Sequence, residues 1–199
     1  MMSIITGGSG VIDLVKLSQY KSSFGFFAQQ LAYPNEEIIG QMQWEGPSAP
    51  SVVSKVQAYI ENVQQLGFDQ LEELYVQTFD FQKKSTLHMT YAKFEDGKER
   101  GQMLAKLKAT YEMFGLEISN GELSDFLPLM CEFLYAAEWA EHPLAKESFQ
   151  TLLGVLEDGT YALMKSLEKY NSPYYTLIQA LREIFKLCIQ TEVQPSVDL

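Results

Sequence analysis

The stretch Gly121-Glu122-Leu123-Ser124-Asp125-Phe126-Leu127-Pro128-Leu129-Met130-Cys131-Glu132-Phe133-Leu134 decides how this chain is read. Leu123, Phe126, Leu127, Met130, Phe133 or Leu134, and Ala137 recur at helical spacing, which predicts one amphipathic helix. Carboxylates stand inside the pattern at Asp125 and Glu132, and Pro128 stands on the helix. A proline in the first turn is tolerated, because the early N–H groups have no intrahelical partner; one further in frees a carbonyl and kinks the helix. A helix that sets acids beside an apolar seam is a binding surface before it is a catalytic one.

Working outward, the rest of the chain also reads as helices. Apolar spacing predicts a helix over 13–32 ending at Tyr33-Pro34-Asn35, a short acidic helix over 35–42, and, after the loop 44–50, a helix to Leu66 capped by Ser48 or Ser51. A further helix covers 69–79. The region 80–96 reads as a loop with a helical portion near 86–94, since its β-branched residues have no second strand to pair with. Strong patterns follow over 98–114, with Gly115 as C-cap, over 143–170 with interruptions at Gly154 and Gly159, and from Pro173 through Cys188. The expected architecture is a single all-α multi-helix domain over 11–190. The Gly/Ser-rich residues 1–10 read as a flexible end and 191–199 as a loose tail.

Composition narrows the function classes. Hydrophobic residues at 46% over 199 positions suit one domain with a real core. The net charge of −11, from 15 basic and 26 acidic residues, argues against nucleic acid or an anionic membrane as partner. It favours a basic amphipathic peptide. No basic n-region opens the chain, and no apolar run approaches the roughly 20 residues that span a bilayer, so a soluble, cytoplasmic protein is expected. Cys131 and Cys188 both fall on apolar helix patterns and read as buried thiols.

Catalytic chemistry finds little support. Glu138 and His142 form one i,i+4 pair with no counterpart for a carboxylate-bridged metal site. Gly7-Gly8-Ser9-Gly10 lacks the end of a phosphate loop, and no nucleophile–His–acid arrangement is assignable. Asp125 and Glu132 as an acid/base pair suffer from their seven-residue offset. Neither an enzyme nor a cofactor site is expected. Charge patterning says more: seven acids lie between Glu117 and Glu147 against one base, Lys146. Solvated faces with cross-helix ion pairs are the ordinary reading. The functional one is an acidic rim around an apolar groove, lined by aromatics such as Tyr75, Phe79, Phe81, Tyr91 and Phe94 unless these are core.

Three ordered motifs resemble a known family. Residues 73–87 (Glu-Leu-Tyr-Val-Gln-Thr-Phe-Asp-Phe-Gln-Lys-Lys-Ser-Thr-Leu), residues 98–104 followed by Tyr111-Glu112-Met113-Phe114-Gly115-Leu116, and residues 122–129 with Glu132-Phe133-Leu134 look like the nitrate reductase assembly chaperones, the NarJ type or nitrate reductase delta subunit. One departure stands out. Where related redox-enzyme chaperones often carry Pro-Asp-His-Leu, this chain has Ser124-Asp125-Phe126-Leu127, so no role of that histidine carries over. The resemblance implies an all-helical cytoplasmic chaperone without a cofactor of its own. It would bind the N-terminal peptide of the nitrate reductase catalytic (alpha) subunit and hold it for molybdenum cofactor and iron–sulfur insertion before membrane attachment. Tyr75, Phe79, Asp80, Asp125 and Glu132 are the expected peptide-binding residues. Arg100, Gly101, Leu127 and Pro128 are expected to organise the fold, Arg100 by orienting a carboxylate and Gly101 by letting helices approach. The alternative is a general helical adaptor for basic amphipathic peptides without a redox-enzyme client.

Overall fold

Helices make up nearly all the regular structure in the computed structural model, which describes residues 11–39, 42–94, 97–119, 121–170 and 172–190. The expectations for 1–10 and 191–199 lie outside the described residues. The all-α class holds. The one sheet among the described residues is a two-residue antiparallel pairing of β1 (Val11–Ile12) with β2 (Ile189–Gln190), which ties the first and last described residues together. Asp13 N–H extends it by donating to Cys188 O at 2.8 Å.

The first predicted helix is two. Helix α1 (Leu14–Ser18) is capped by Asp13, whose carboxylate accepts from Lys16 N, and a turn at 19–20 separates it from α2 (Lys21–Leu31). Helix α3 (Glu36–Ile39) is short. Helix α4 (Pro50–Gln64) takes Ala49 as N-cap with Pro50 in its first turn, so neither serine caps it; proline needs no N–H partner there. Helix α5 (Phe68–Tyr75) passes into a π-helical turn over Val76–Asp80. A 3-10 turn (Lys83–Ser85) and helix α6 (Tyr91–Phe94) follow. Between them His88 makes an isolated antiparallel bridge to Phe126, so this segment does find an extended partner, across 38 residues. Helix α7 (Lys98–Met113) ends at Phe114, and Gly115 takes φ +78°, the left-handed conformation that suits a helix stop.

The deciding stretch is not one helix. Residues 121–126 form a turn, and α8 (Leu127–Ala136) begins only at Leu127, with Pro128 in its first turn. Pro128 therefore starts a helix rather than kinking one. Helix α9 (Ala145–Leu167) runs through Gly154 and Gly159 without a break, followed by a 3-10 turn (Glu168–Tyr170). Burial explains why two glycines do not interrupt it: Phe149, Leu152, Leu153, Leu156, Leu163 and Leu167 are all buried along one face, and packing overrides weak propensity. Gly159 is also required by its neighbour, since a Cβ there would sit 2.7 Å from the Met89 Cα. Helix α10 (Tyr174–Leu187) is the last helix among the described residues, with Pro173 as N-cap.

Two helix groups frame the core: α2 lies along α8, and α10 packs against both α4 and α9. Aromatic contacts join them. Phe24 of α2 stacks on Phe185 of α10 at 5.9 Å, and Tyr174 meets both Tyr59 (5.8 Å) and Phe79 (4.8 Å). Arg182 and Glu157 are buried between α9 and α10, where Arg182 Nη2 donates to Glu157 Oε1 at 2.9 Å and Nη1 donates to Glu157 O and Thr160 Oγ1. Cys131 and Cys188 are free and fully buried; burial pushes the Cys131 thiol up and the Cys188 thiol to about 11, which keeps both inert.

Candidate functional site

Asp125 organises the turn before α8. Its side chain is 0% exposed, so it is not a rim acid open to solvent. Four neighbouring groups satisfy it. His88 Nδ1 lies 3.2 Å from Oδ1, Thr90 N donates to Oδ2 at 3.1 Å, Thr90 Oγ1 donates to the same oxygen, and Arg100 Nη2 donates to it at 3.3 Å. An ionised carboxylate only accepts, so His88 Nδ1 must carry the hydrogen. Arg100 also donates from Nε to Thr90 Oγ1 at 3.1 Å, and its guanidinium lies 5.7 Å from the Tyr91 ring centroid. Burial by itself raises the Asp125 pKa. The hydrogen bonds from His88 and from the Thr90 side chain and backbone, with the charge of His88, outweigh it and hold the acid at about 2.

Backbone pairing locks the same turn in place. Leu127 N donates to Leu87 O at 2.8 Å and Met89 N to Asp125 O at 2.9 Å. Tyr111 Oη donates to Ser124 O at 2.6 Å, and Ser124 Oγ to Leu104 O at 2.7 Å. The turn is thus bound to α7 on one side and to 87–90 on the other. Leu127 and Pro128 are buried beneath it. Gly101 is exposed with open space around it, so no helix approaches there; the close approach of this fold is at Gly159 instead.

Anchored in this way, the turn forms one wall of an open groove of about 550 Å³ between α2, α8, residues 116–119 and Glu122. Ala28, Leu116, Ile118, Phe126 and Leu129 supply apolar surface, and Gly25 lets the Tyr135 ring come within 3.1 Å of where a Cβ would stand. The charged residues lining it are Glu117, Glu122 and Glu132, with no base among them. Tyr135, at half exposure, stands at its edge.

The structure brings only part of the expected set to this groove. Glu132 lines it. Tyr75 and Phe79 do not: both are 5% exposed and sit in the aromatic core, with Tyr75 Oη donating to Leu31 O at 3.2 Å. Burial first, then the charges of Asp80 and Glu122, raise the Tyr75 pKa, so these two carboxylates bear on the same ring. Asp80 is exposed but outside the groove lining, and Asp125 acts beneath it rather than in it. Of the other aromatics, Phe81 is 77% exposed, while Tyr91 and Phe94 are half-buried. Glu117 and Glu122 belong to the acidic run and are signalled by it. His88 and Thr90 carry no signal of their own, because nothing local marks residues that meet an acid 35 or 37 positions away. Glu138 and His142 do not share a helix: Glu138 pairs with Lys21 at 2.7 Å, and His142 lies against Phe114. Among the described residues no group of three or more His, Cys, Asp or Glu could hold a metal ion, and no helix is long and apolar enough to cross a membrane.

Comparison with known proteins agrees on one family. The sequence pattern described as nitrate reductase delta subunit matches residues 47–179. The chain is 33% identical over 164 residues, 80% of its length and 85% of the relative's, to a Bacillus subtilis (strain 168) protein assigned as the nitrate reductase molybdenum cofactor assembly chaperone NarJ. It is 27% identical over 118 residues to the NarJ chaperone of Escherichia coli (strain K12), covering 59% of this chain and 47% of that one. A crystal structure of an Archaeoglobus fulgidus protein assigned to redox-enzyme maturation superposes with a TM-score of 0.55 at 16% identity, over 82% of this chain and 91% of that one, which shows a shared fold.

Proposed function

Because the chain belongs to the nitrate reductase delta subunit family, a class of non-catalytic maturation chaperones, we propose that it binds the N-terminal segment of a nitrate reductase catalytic subunit in the groove between α2 and α8. There it holds the client while molybdenum cofactor and iron–sulfur clusters are inserted and before the enzyme reaches its membrane partner. The observation that carries this reading is the groove itself: apolar surface edged by Glu117, Glu122 and Glu132 with no opposing base. A basic amphipathic helix presents the complementary surface. Its apolar face gives affinity by burial, and its lysines and arginines speed encounter and fix register against the carboxylates. Ordering the segment on binding costs free energy and keeps affinity low enough for release.

Asp125 serves this site as a positioning residue. It holds the turn that carries Glu122 and Phe126, so replacing it would disturb the groove through the fold and would not report on direct contact. Glu122 and Glu132 are exposed and are the informative positions. Calorimetry with a synthetic N-terminal peptide of the catalytic subunit is expected to show saturable 1:1 binding, weakened about tenfold or more by Glu122→Lys with Glu132→Lys while circular dichroism is unchanged. Absence of binding by the folded protein would refute the reading. Equal binding of a composition-matched, scrambled basic peptide would instead support a general adaptor.

A further inference from the structure

The chain is acidic, yet one cleft reverses the sign. A cavity of about 750 Å³ lies between the 3-10 turn Lys83–Ser85, helix α6 and the C-terminal end of α9. Its lining holds Lys83, Lys84, Lys165 and Lys169 and a single carboxylate, Glu168. Four lysines against one glutamate give a formal +3, in a chain whose remaining 11 basic and 25 acidic residues sum to −14. The lysines come from two sides. Tyr170 Oη donates to Gln82 Oε1 at 3.0 Å, which ties the end of α9 to the turn and holds the two pairs toward one space.

Ordinary surface electrostatics explains half of this. Lys165 pairs with Glu168 at 3.0 Å, and lysines near a helix C-terminus complement its dipole, which accounts for Lys165 and Lys169. Neither reason covers Lys83 and Lys84. Among the described residues no carboxylate pairs with Lys83, Lys84 or Lys169. Concentrating unpaired like charge around a cavity opposes folding unless an anion joins it. The floor is mixed: Tyr91, Ala92 and Leu163 are apolar, and the hydroxyls of Thr86 and Ser166 add hydrogen-bonding groups.

We propose that this cleft binds a phosphate-bearing small molecule, with ammonium groups from both sides on the phosphates and the apolar floor under the rest of the ligand. The volume lies within the range of small-molecule sites, and lysines on flexible stems are effective point-charge partners for phosphate. This site shares no lining residue with the peptide groove, so the proposal stands apart from the client reading.

Inorganic tripolyphosphate, titrated calorimetrically into the full chain at low salt, is the probe. Saturable 1:1 binding is expected. The double variant Lys84→Gln, Lys169→Gln should weaken it about tenfold or more, whereas Lys108→Gln, Lys146→Gln, which removes the same charge elsewhere, should leave it nearly unchanged. Both pairs are exposed, and unchanged circular dichroism confirms that each variant folds. No saturation by the native chain, or equal loss in both double variants, overturns the proposal. Tighter binding of hexaglutamate than of tripolyphosphate overturns it in favour of an acidic peptide. Sedimentation with phosphatidylglycerol vesicles that depends on Lys84 and Lys169 overturns it in favour of a lipid surface.

Discussion

Asp125 has no solvent contact, yet it remains ionised because His88, Thr90 and Arg100 replace the water it lost. That exchange makes a pH prediction. Its folded pKa of about 2 lies below the ordinary aspartate value of 3.8, so the folded state favours the charged form. The resulting stability, on the order of 2 kcal/mol, is fully present above pH 4 and is lost as pH falls through about 2. Urea unfolding at pH 6, 4 and 2 should show native and Asp125→Asn proteins well separated at the first two values and converging at the last. A constant gap would mean that the carboxylate charge is not what stabilises the turn. The glycines of α9 supply a second contrast. Gly154→Ala meets open space in a helix interior and should gain about 0.5–1 kcal/mol. Gly159→Ala must displace Met89 backbone and should lose about 1–3 kcal/mol, although the local propensity change is the same. Sequence spacing marks both as possible interruptions; only the neighbour 70 residues away separates them.

Legibility at the scale of elements follows the same line. The pattern over 173–188 translates directly into α10, because one continuous apolar face suffices to define it, and that over 98–114 into α7, which buries only Leu107, Thr110 and Tyr111. The stretch 121–134 does not. Its apolar spacing fits a helix throughout, but Asp125 needs partners from residues 88, 90 and 100, and satisfying a buried carboxylate outweighs another helical turn. Asp125 is therefore the foundation of the groove and not part of its rim, and Glu122 on the turn takes the exposed place. Between α9 and α10 the Arg182–Glu157 pair is equally hidden from local pattern. Arg182→Met should cost about 3–5 kcal/mol in urea unfolding, because it leaves a buried carboxylate without its cation. Adding Glu157→Leu should recover most of that loss. If the double variant is as unstable as the single one, the pair itself, rather than the stranded charge, carries the stability.

Across the whole molecule, charge is sorted rather than spread. The groove carries three carboxylates and no base, and the lysine cleft carries four bases and one acid, with the His88–Phe126 bridge between them: His88 lines the cleft and Phe126 lines the groove. Under the proposed function, a basic client segment would be drawn to one site and repelled from the other, which would fix where it lands before any apolar contact forms. Salt should expose this division. Screening shortens from about 10 Å at 0.1 M to about 3 Å at 1 M, so exposed charges lose reach while buried apolar contact does not. Binding of the client peptide should fall about tenfold between 0.05 and 0.5 M salt and then level off, leaving the apolar contribution. Glu122→Lys with Glu132→Lys should bind weakly throughout with a flattened or inverted slope, measured by the same calorimetric titration. A native affinity that ignores salt would place recognition in the apolar surface alone and remove the acids from the mechanism.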